Sequence, residues 1–317
     1  MNKDASILRD LAKRYAEIAA KPCQKTRKDL WRKNNSFKGE KPLIYIRSFA
    51  FREMPDYKCL CEDKELQGYE RILRNRIFWN SFNDDSIFEP WLNVEAVHEC
   101  MGWGLKGVKH QTEEAGAYKE DYPIKDLDDV KKMRMPWHKI DEKATAEKAA
   151  KIRDIVGDIL TINIDRAPYY RMWTGDLSCT LGHLRGIENI MMDMMDNSEW
   201  LHSLVKFLAD GVMKTNDEAE AAGDWGLSAS QNQAMPYAEE VDDPAANVNG
   251  IKRKQIWGYM ASQEFTCVSP DMHEEFLLQY QLPIISKFGL SAYGCCEDLT
   301  NKIDMRSEEH TSELQSH

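Results

Sequence analysis

Ile7, Leu8, Leu11, Tyr15 and Ile18 recur three and four residues apart among charged positions, which places them on one face of a helix. Residues 41–50 (KPLIYIRSFA) form a short apolar run opened by Pro42 and read as a strand. Residues 65–82 return to helical spacing, with Leu66, Tyr69, Ile72, Leu73 and Ile77 on one side. Residues 86–94 (SIFEPWLNV) read as a strand broken at Pro90, and a glycine-rich loop follows at 101–108. The spacing predicts a helix over 144–156, a strand over 158–164 (DILTINI), and helices over 181–195 and 198–222, the last capped near Asn197. Residues 225–231 are strand-like, and 239–250 form a polar loop. Ser269 and Pro270 open a helix over 270–288, and a strand follows at 289–294.

Strands that alternate with long helices imply strand–helix–strand units and a parallel sheet, an α/β fold class. The pattern allows either a doubly wound sheet or a barrel. No glycine fingerprint that would cradle a phosphate follows any strand, which counts against a nucleotide-binding doubly wound sheet.

The formal net charge of −11 argues against nonspecific binding to nucleic acid or to an anionic membrane. It leaves room for an anionic small molecule held by a few local arginines. Residues 1–21 are charged and amphipathic, unlike a secretion signal, and no apolar run reaches membrane-spanning length. The eight cysteines, at 23, 59, 61, 100, 179, 267, 295 and 296, form no compact framework, so a reducing cytoplasm is the expected location. Residues 306–316 (RSEEHTSELQS) carry neither stripe nor alternation. The string is also the in-frame translation of a common sequencing-library adapter. Residues 306–317 are therefore read as an artefactual tail, and the natural chain is expected to continue.

In α/β folds chemistry gathers where strands end and loops begin. The polar residues at those points are Arg47 and Arg52, Glu89, then Asn163, Asp165 and Arg166, then Ser230, Gln231 and Asn232, and finally Tyr293, Cys295, Cys296 and Glu297. The arginines can grip a carboxylate through both arms; the alternative is a salt bridge to Glu53 or Asp56. Asp165 and Arg166 can equally be an internal pair. Strand alternation from Tyr293 puts Cys295 on the same face and sends Cys296 the other way. A thiolate is a good zinc ligand and Glu297 can add an oxygen; the alternative is that both thiols are small buried hydrophobes.

Two segments carry a resemblance. Residues 174–208 (TGDLSCTLGHLRGIENIMMDMMDNSEWLHSLVKFL) resemble the G-P-F-T-L-A…G…D…P segment of uroporphyrinogen decarboxylase-like proteins. Residues 269–305 (SPDMHEEFLLQYQLPIISKFGLSAYGCCEDLTNKIDM) resemble their S-P-x-x-F-x-E-F…P…H-x-C-G segment. The resemblance implies a (β/α)₈ TIM-type barrel over 41–305, preceded by a helical extension over 1–40 and truncated before its last βα units. It also implies a cytoplasmic enzyme that transfers a methyl group to or from a corrinoid, with zinc on Cys295 and Cys296. Glu89, Asp165 and Glu297 are then the catalytic candidates, and Arg47, Arg52, Asn163, Gln231 and Tyr293 the substrate-binding ones. A small-molecule substrate and a corrinoid protein are the expected partners, with no nucleic acid and no membrane. The alternatives are a carboxy-lyase acting on a tetrapyrrole and a barrel that binds a tetrapyrrole or corrinoid without converting it. Three departures bear on the reaction. Arg47 and Arg52 are five apart in RSFAFREMPDY where the decarboxylases have four; FEP offers Glu89 where they have F-S-D; and Tyr293-Gly294-Cys295 fills the H-x-C slot of the zinc methyltransferases without its histidine.

Overall fold

The computed structural model describes residues 2–48, 53–54, 57–111 and 118–303. Arg52, Asp56 and the tail at 306–317 lie outside the described residues. The chain opens with α1 (Lys3–Ala19), α2 (Cys23–Asn35) and α3 (Lys64–Asn80). Asn2 caps α1 by accepting from the Ala5 N–H, and Asp63 caps α3 by accepting from Glu65 and Leu66. The apolar face of α1 is the one expected: Leu8, Leu11, Tyr15 and Ile18 are buried. They pack with Leu66, Tyr69 and Leu73 of α3 over β1 (Trp91–Glu95), α4 (Glu142–Val156) and β4 (Thr161–Asp165). Each fully buried leucine there contributes ~1.5–3 kcal/mol. Strands β1 and β4 run parallel, with Trp91 opposite Thr161 and Glu95 opposite Asp165. Between them lies an antiparallel hairpin of β2 (Val108–Gln111) and β3 (Tyr118–Asp121).

The second half is mainly helical: α5 (Met172–Gly175), α6 (Leu177–Arg185), α7 (Ile187–Asp196) and α8 (Ser198–Ala222). Gly223 ends α8 in the left-handed conformation usual for a helix stop. A second parallel pair follows, β5 (Trp257–Met260) and β6 (Leu290–Tyr293), with Trp257 opposite Leu290 and Met260 opposite Tyr293. Its crossover contains α9 (Pro270–His273), a π turn at Glu274–Leu278 and α10 (Gln279–Ile285). Leu181, Leu201, Leu204 and Leu208 share one core with Phe265, Phe276 and Leu277.

The expected (β/α)₈ barrel is not what the chain forms. About half of the structure is helical, and the six strands among the described residues fall into three two-stranded sheets. Hydrogen bonding explains the breaks. Residues 42–48 are not a strand: the N–H groups of Ile44 and Ile46 donate to Asp85 Oδ2 (2.9 Å) and Asp84 Oδ2 (2.7 Å) instead of to a neighbouring backbone. Residues 225–231 turn away from β4, because Leu227 N–H donates to Val248 O (3.0 Å) and a short 3₁₀ turn occupies Leu227–Ala229. The second edge of β4 is taken by Asn247, which accepts from Ile164 N–H (3.1 Å) and donates to Ile162 O (2.9 Å).

Other boundaries also moved. Residues 86–89 are irregular and β1 begins at Trp91. The helix expected over 181–195 is two, broken at Gly186, whose φ of +84° suits glycine alone. Asn197 precedes α8 but makes no capping bond. Ser269 does cap its helix, accepting from Met272 N–H. Strand β5 went unread.

A β-carbon at Gly186 would clash with the Tyr122 ring. Gly186→Ala is therefore expected to lower the unfolding free energy by about 2 kcal/mol or more. Urea denaturation of the two proteins measures it; equal midpoints would show that the α6–α7 junction is unstrained.

Candidate functional site

Three of the cavities adjoin one another beside the two parallel pairs. One, about 600 Å³, has walls from Trp31, Tyr45, Arg47, Tyr293, Cys295 and Glu297. A second, about 310 Å³, shares Tyr45 and Arg47 with it and adds Glu89, Asn93 and Tyr237. A third, about 410 Å³, shares Ser228 and Ser230 with the second and adds Glu95, His98, Asp165, Arg171 and Gln231. Arg47, Glu89, Asp165, Gln231, Tyr293, Cys295 and Glu297 each line one or more of these cavities. Arg52 lies outside the described residues.

Arg47 separates the two cavities that it lines. Its guanidinium sits 3.6 Å above the Tyr45 ring centre and 4.4 Å from that of Trp79. It donates to Ile46 O (3.0 Å) and Ser86 Oγ (3.2 Å). Among the described residues it has no ion pair with a carboxylate. Asp84 is nearby, but its oxygens accept from Ile46 N–H, Ser86 N–H and Ser86 Oγ. Burial lowers the Arg47 pKa, and the charges of Tyr45 and Asp84 only partly restore it.

Glu89 is anchored, accepting from Lys28 Nζ (2.8 Å) and from the Tyr237 hydroxyl. Burial, reinforced by the Glu89 charge, holds the Tyr237 phenol well above its ordinary range. Asp165 is gripped by both arms of Arg171 (2.8 and 2.7 Å). Arg166, its sequence neighbour, pairs instead with Glu142 and Asp224, so the Asp165–Arg166 pair is not formed. Asn163 is buried and donates to Asn93 Oδ1 (2.8 Å) and Ser228 Oγ (2.9 Å), tying β4 to its neighbours. Gln231 accepts from Met172 N–H (2.6 Å), leaving its amide nitrogen toward the third cavity. The Tyr293 hydroxyl is used internally, donating to Gln281 Oε1 (2.7 Å) and lying 2.9 Å from His273 Nε2.

The cysteines depart from the alternation argument. Strand β6 ends at Tyr293, and Gly294 turns the chain at φ +110°. Cys295 and Cys296 therefore do not diverge: their sulfurs are 3.5 Å apart. Burial, with Cys296 and Glu297 adding to it, pushes the Cys295 thiol up to about 12. Glu297 is fully engaged. Oε2 accepts from Cys295 N–H (2.7 Å), and Oε1 accepts from Ser262 N–H (2.6 Å) and Ser262 Oγ (3.1 Å).

Two groups escaped the sequence reading. Asp176, Cys179 and Glu264 bring their ligand atoms within 4.8 Å of one another, the spacing of a small cation site with two oxygens and one sulfur. Asp176 caps α6, a role that D-L-S-C could have signalled, and is fully buried. Burial raises its pKa to about 7 even though the Cys179 and Ala261 N–H groups both donate to it. Burial and the Glu264 and Asp176 charges push the Cys179 thiol up to about 12. The second group is His98 and His138, with ring centres 5.6 Å apart. Burial and the neighbouring His138 and Arg171 charges take His98 down to about 4, so it is a neutral imidazole at physiological pH. His138 Nε2 contacts Asp224 Oδ2 (2.8 Å), while its buried Nδ1 has no hydrogen-bond partner among the described residues. No sequence spacing links His98, His138 and Asp224.

The chain matches no protein-family model, no curated protein and no solved structure. The uroporphyrinogen decarboxylase-like resemblance rests on the two quoted segments alone. Among the described residues, no helix is long and apolar enough to cross a membrane.

The raised Asp176 pKa fixes the sign of a pH effect. An ordinary aspartate titrates near ~3.9, so the folded state holds this proton more tightly than the unfolded state does. The resulting stabilisation is complete below about pH 4 and is lost as pH rises through about 7. Asp176→Asn is expected to flatten the stability profile over that window by up to about 4 kcal/mol. Urea unfolding from pH 4 to 8 tests this, and parallel profiles for variant and wild type would contradict the buried protonated carboxyl.

Proposed function

We propose that the chain binds a carboxylate-bearing small molecule with a sizeable apolar body, seated across the two cavities that meet at Arg47. The observation that carries the reading is the half-buried guanidinium of Arg47, which lacks a carboxylate partner among the described residues and lines both cavities. A charge drawn out of water is costly unless an opposite charge meets it. A guanidinium close to the Tyr45 and Trp79 rings keeps donors that can meet a carboxylate through two hydrogen bonds. Trp31, Leu43, Ala234 and Ala292 supply apolar wall. Cavities of several hundred Å³ suit a small-molecule ligand. A tetrapyrrole carboxylate has this character and is the ligand class the resemblance implies. The adjoining cavity adds Glu95 and the neutral His98, groups able to take a proton from a bound molecule. Zinc-dependent methyl transfer to or from a corrinoid has less behind it, because Glu297 already accepts from three donors.

Titration with a tetracarboxylate porphyrin, followed by quenching of tryptophan fluorescence, tests the reading. Saturable binding is expected, weakened about tenfold or more in Arg47→Ala and less in Arg47→Lys, since hydrogen bonds to a charged partner contribute about 1.5–3 kcal/mol. Identical binding by wild type and Arg47→Ala would remove Arg47 from the site and the proposal with it.

A further inference from the structure

We propose that Cys295 and Cys296 form a reversible redox pair that closes to a vicinal disulfide when hydrogen peroxide reaches the wall of the cavity lined by Tyr293, Cys295 and Glu297. Three observations support it. The two sulfurs are 3.5 Å apart and neither is bridged to another cysteine. Cys296 is exposed, so an oxidant can reach it, while Cys295 is half-buried and lines the cavity. Gly294, at φ +110°, releases the segment from strand alternation and lets both side chains face the same way.

The chemistry balances without a further cofactor. The Cys296 sulfur attacks one peroxide oxygen, the O–O bond breaks, and Cys296 becomes a sulfenic acid as the first water leaves. The Cys295 sulfur then attacks the Cys296 sulfur, the S–O bond breaks, and the oxygen departs as a second water carrying the Cys295 proton. Two thiols have lost two electrons and two protons, and the peroxide has been reduced to two waters. The product is strained: consecutive α-carbons are only ~3.8 Å apart, whereas disulfides usually span ~4.4–6.8 Å. Strained disulfides are the easily reduced ones, so the bond opens again with a dithiol reductant. Closure must draw the two sulfurs together from 3.5 Å. Because the Cys295 N–H donates to Glu297, and Glu297 also holds Ser262, a shift of Cys295 is carried into the cavity wall that Cys295 and Glu297 form. The inference is independent of what Arg47 binds.

The test is peptide mapping of the whole chain after hydrogen peroxide treatment and alkylation. The peptide containing both cysteines is expected to lose two hydrogens, resist alkylation, and regain both thiols with dithiothreitol. Cys296→Ser should abolish the change. Cys295→Ser should leave a sulfenic acid on Cys296 that dimedone traps. Cys267→Ser, which removes another exposed thiol, should leave the oxidation as in wild type. Sulfinic acid on Cys296 beside an alkylatable Cys295 would overturn the proposal, as would a disulfide from either residue to Cys179 or to a second chain. If Cys295→Ser does not fold, the wild-type peptide decides the matter by itself.

Discussion

Asn247 occupies the second edge of β4, and much of the architecture follows from that. Its side chain exchanges hydrogen bonds with Ile162 and Ile164 where another strand's backbone would otherwise lie, and its own N–H donates to Asn163 Oδ1 (2.6 Å). Asn247 adopts φ +55°, one of the few positive values at a non-glycine residue in the described chain. With that edge taken, the β1–β4 ladder cannot grow toward residues 225–231, which fold instead onto the loop that delivers Asn247. The ladder stays two strands wide, and the space beside it becomes the polar wall of Asn93, Asn163 and Ser228.

Charge around the cavities stands in unequal surroundings. Asp165 is answered by Arg171, Glu89 by Lys28 and Asp224 by Arg166, and of these Asp165 and Glu89 are cavity-lining as well as structural. Two other places differ. Arg47 has aromatic faces but no carboxylate ion pair among the described residues. Asp176, Cys179 and Glu264 crowd one another, and burial favours the protonated forms of Asp176 and Cys179. Unbalanced charge away from water is unstable by itself and favours either proton uptake or a ligand of opposite sign. A guanidinium cannot give up its proton near neutral pH, so Arg47 is the place where a ligand gains most.

What the sequence determined by itself is what depends on neighbours along the chain. The apolar faces of α1 and α3, and the existence of α4 and α8, are legible because helical spacing repeats over four or more turns. Ser269 announces the start of α9, and a few of the cavity-lining residues, Arg47, Asp165 and Cys295 among them, stand where apolar runs end. Short elements were poorly legible. β5 is four buried residues, WGYM, with no alternation to read, and KPLIYIR has the composition of a strand but gives its amides to Asp84 and Asp85. Tertiary structure decided the rest, because side-chain and edge pairing join residues far apart in the chain. It set Arg171 rather than Arg166 on Asp165, and it brought His138 to Asp224 and Glu264 to Cys179. It also turned Cys295 and Cys296 to one side, since alternation holds only while the strand continues and Gly294 ends it.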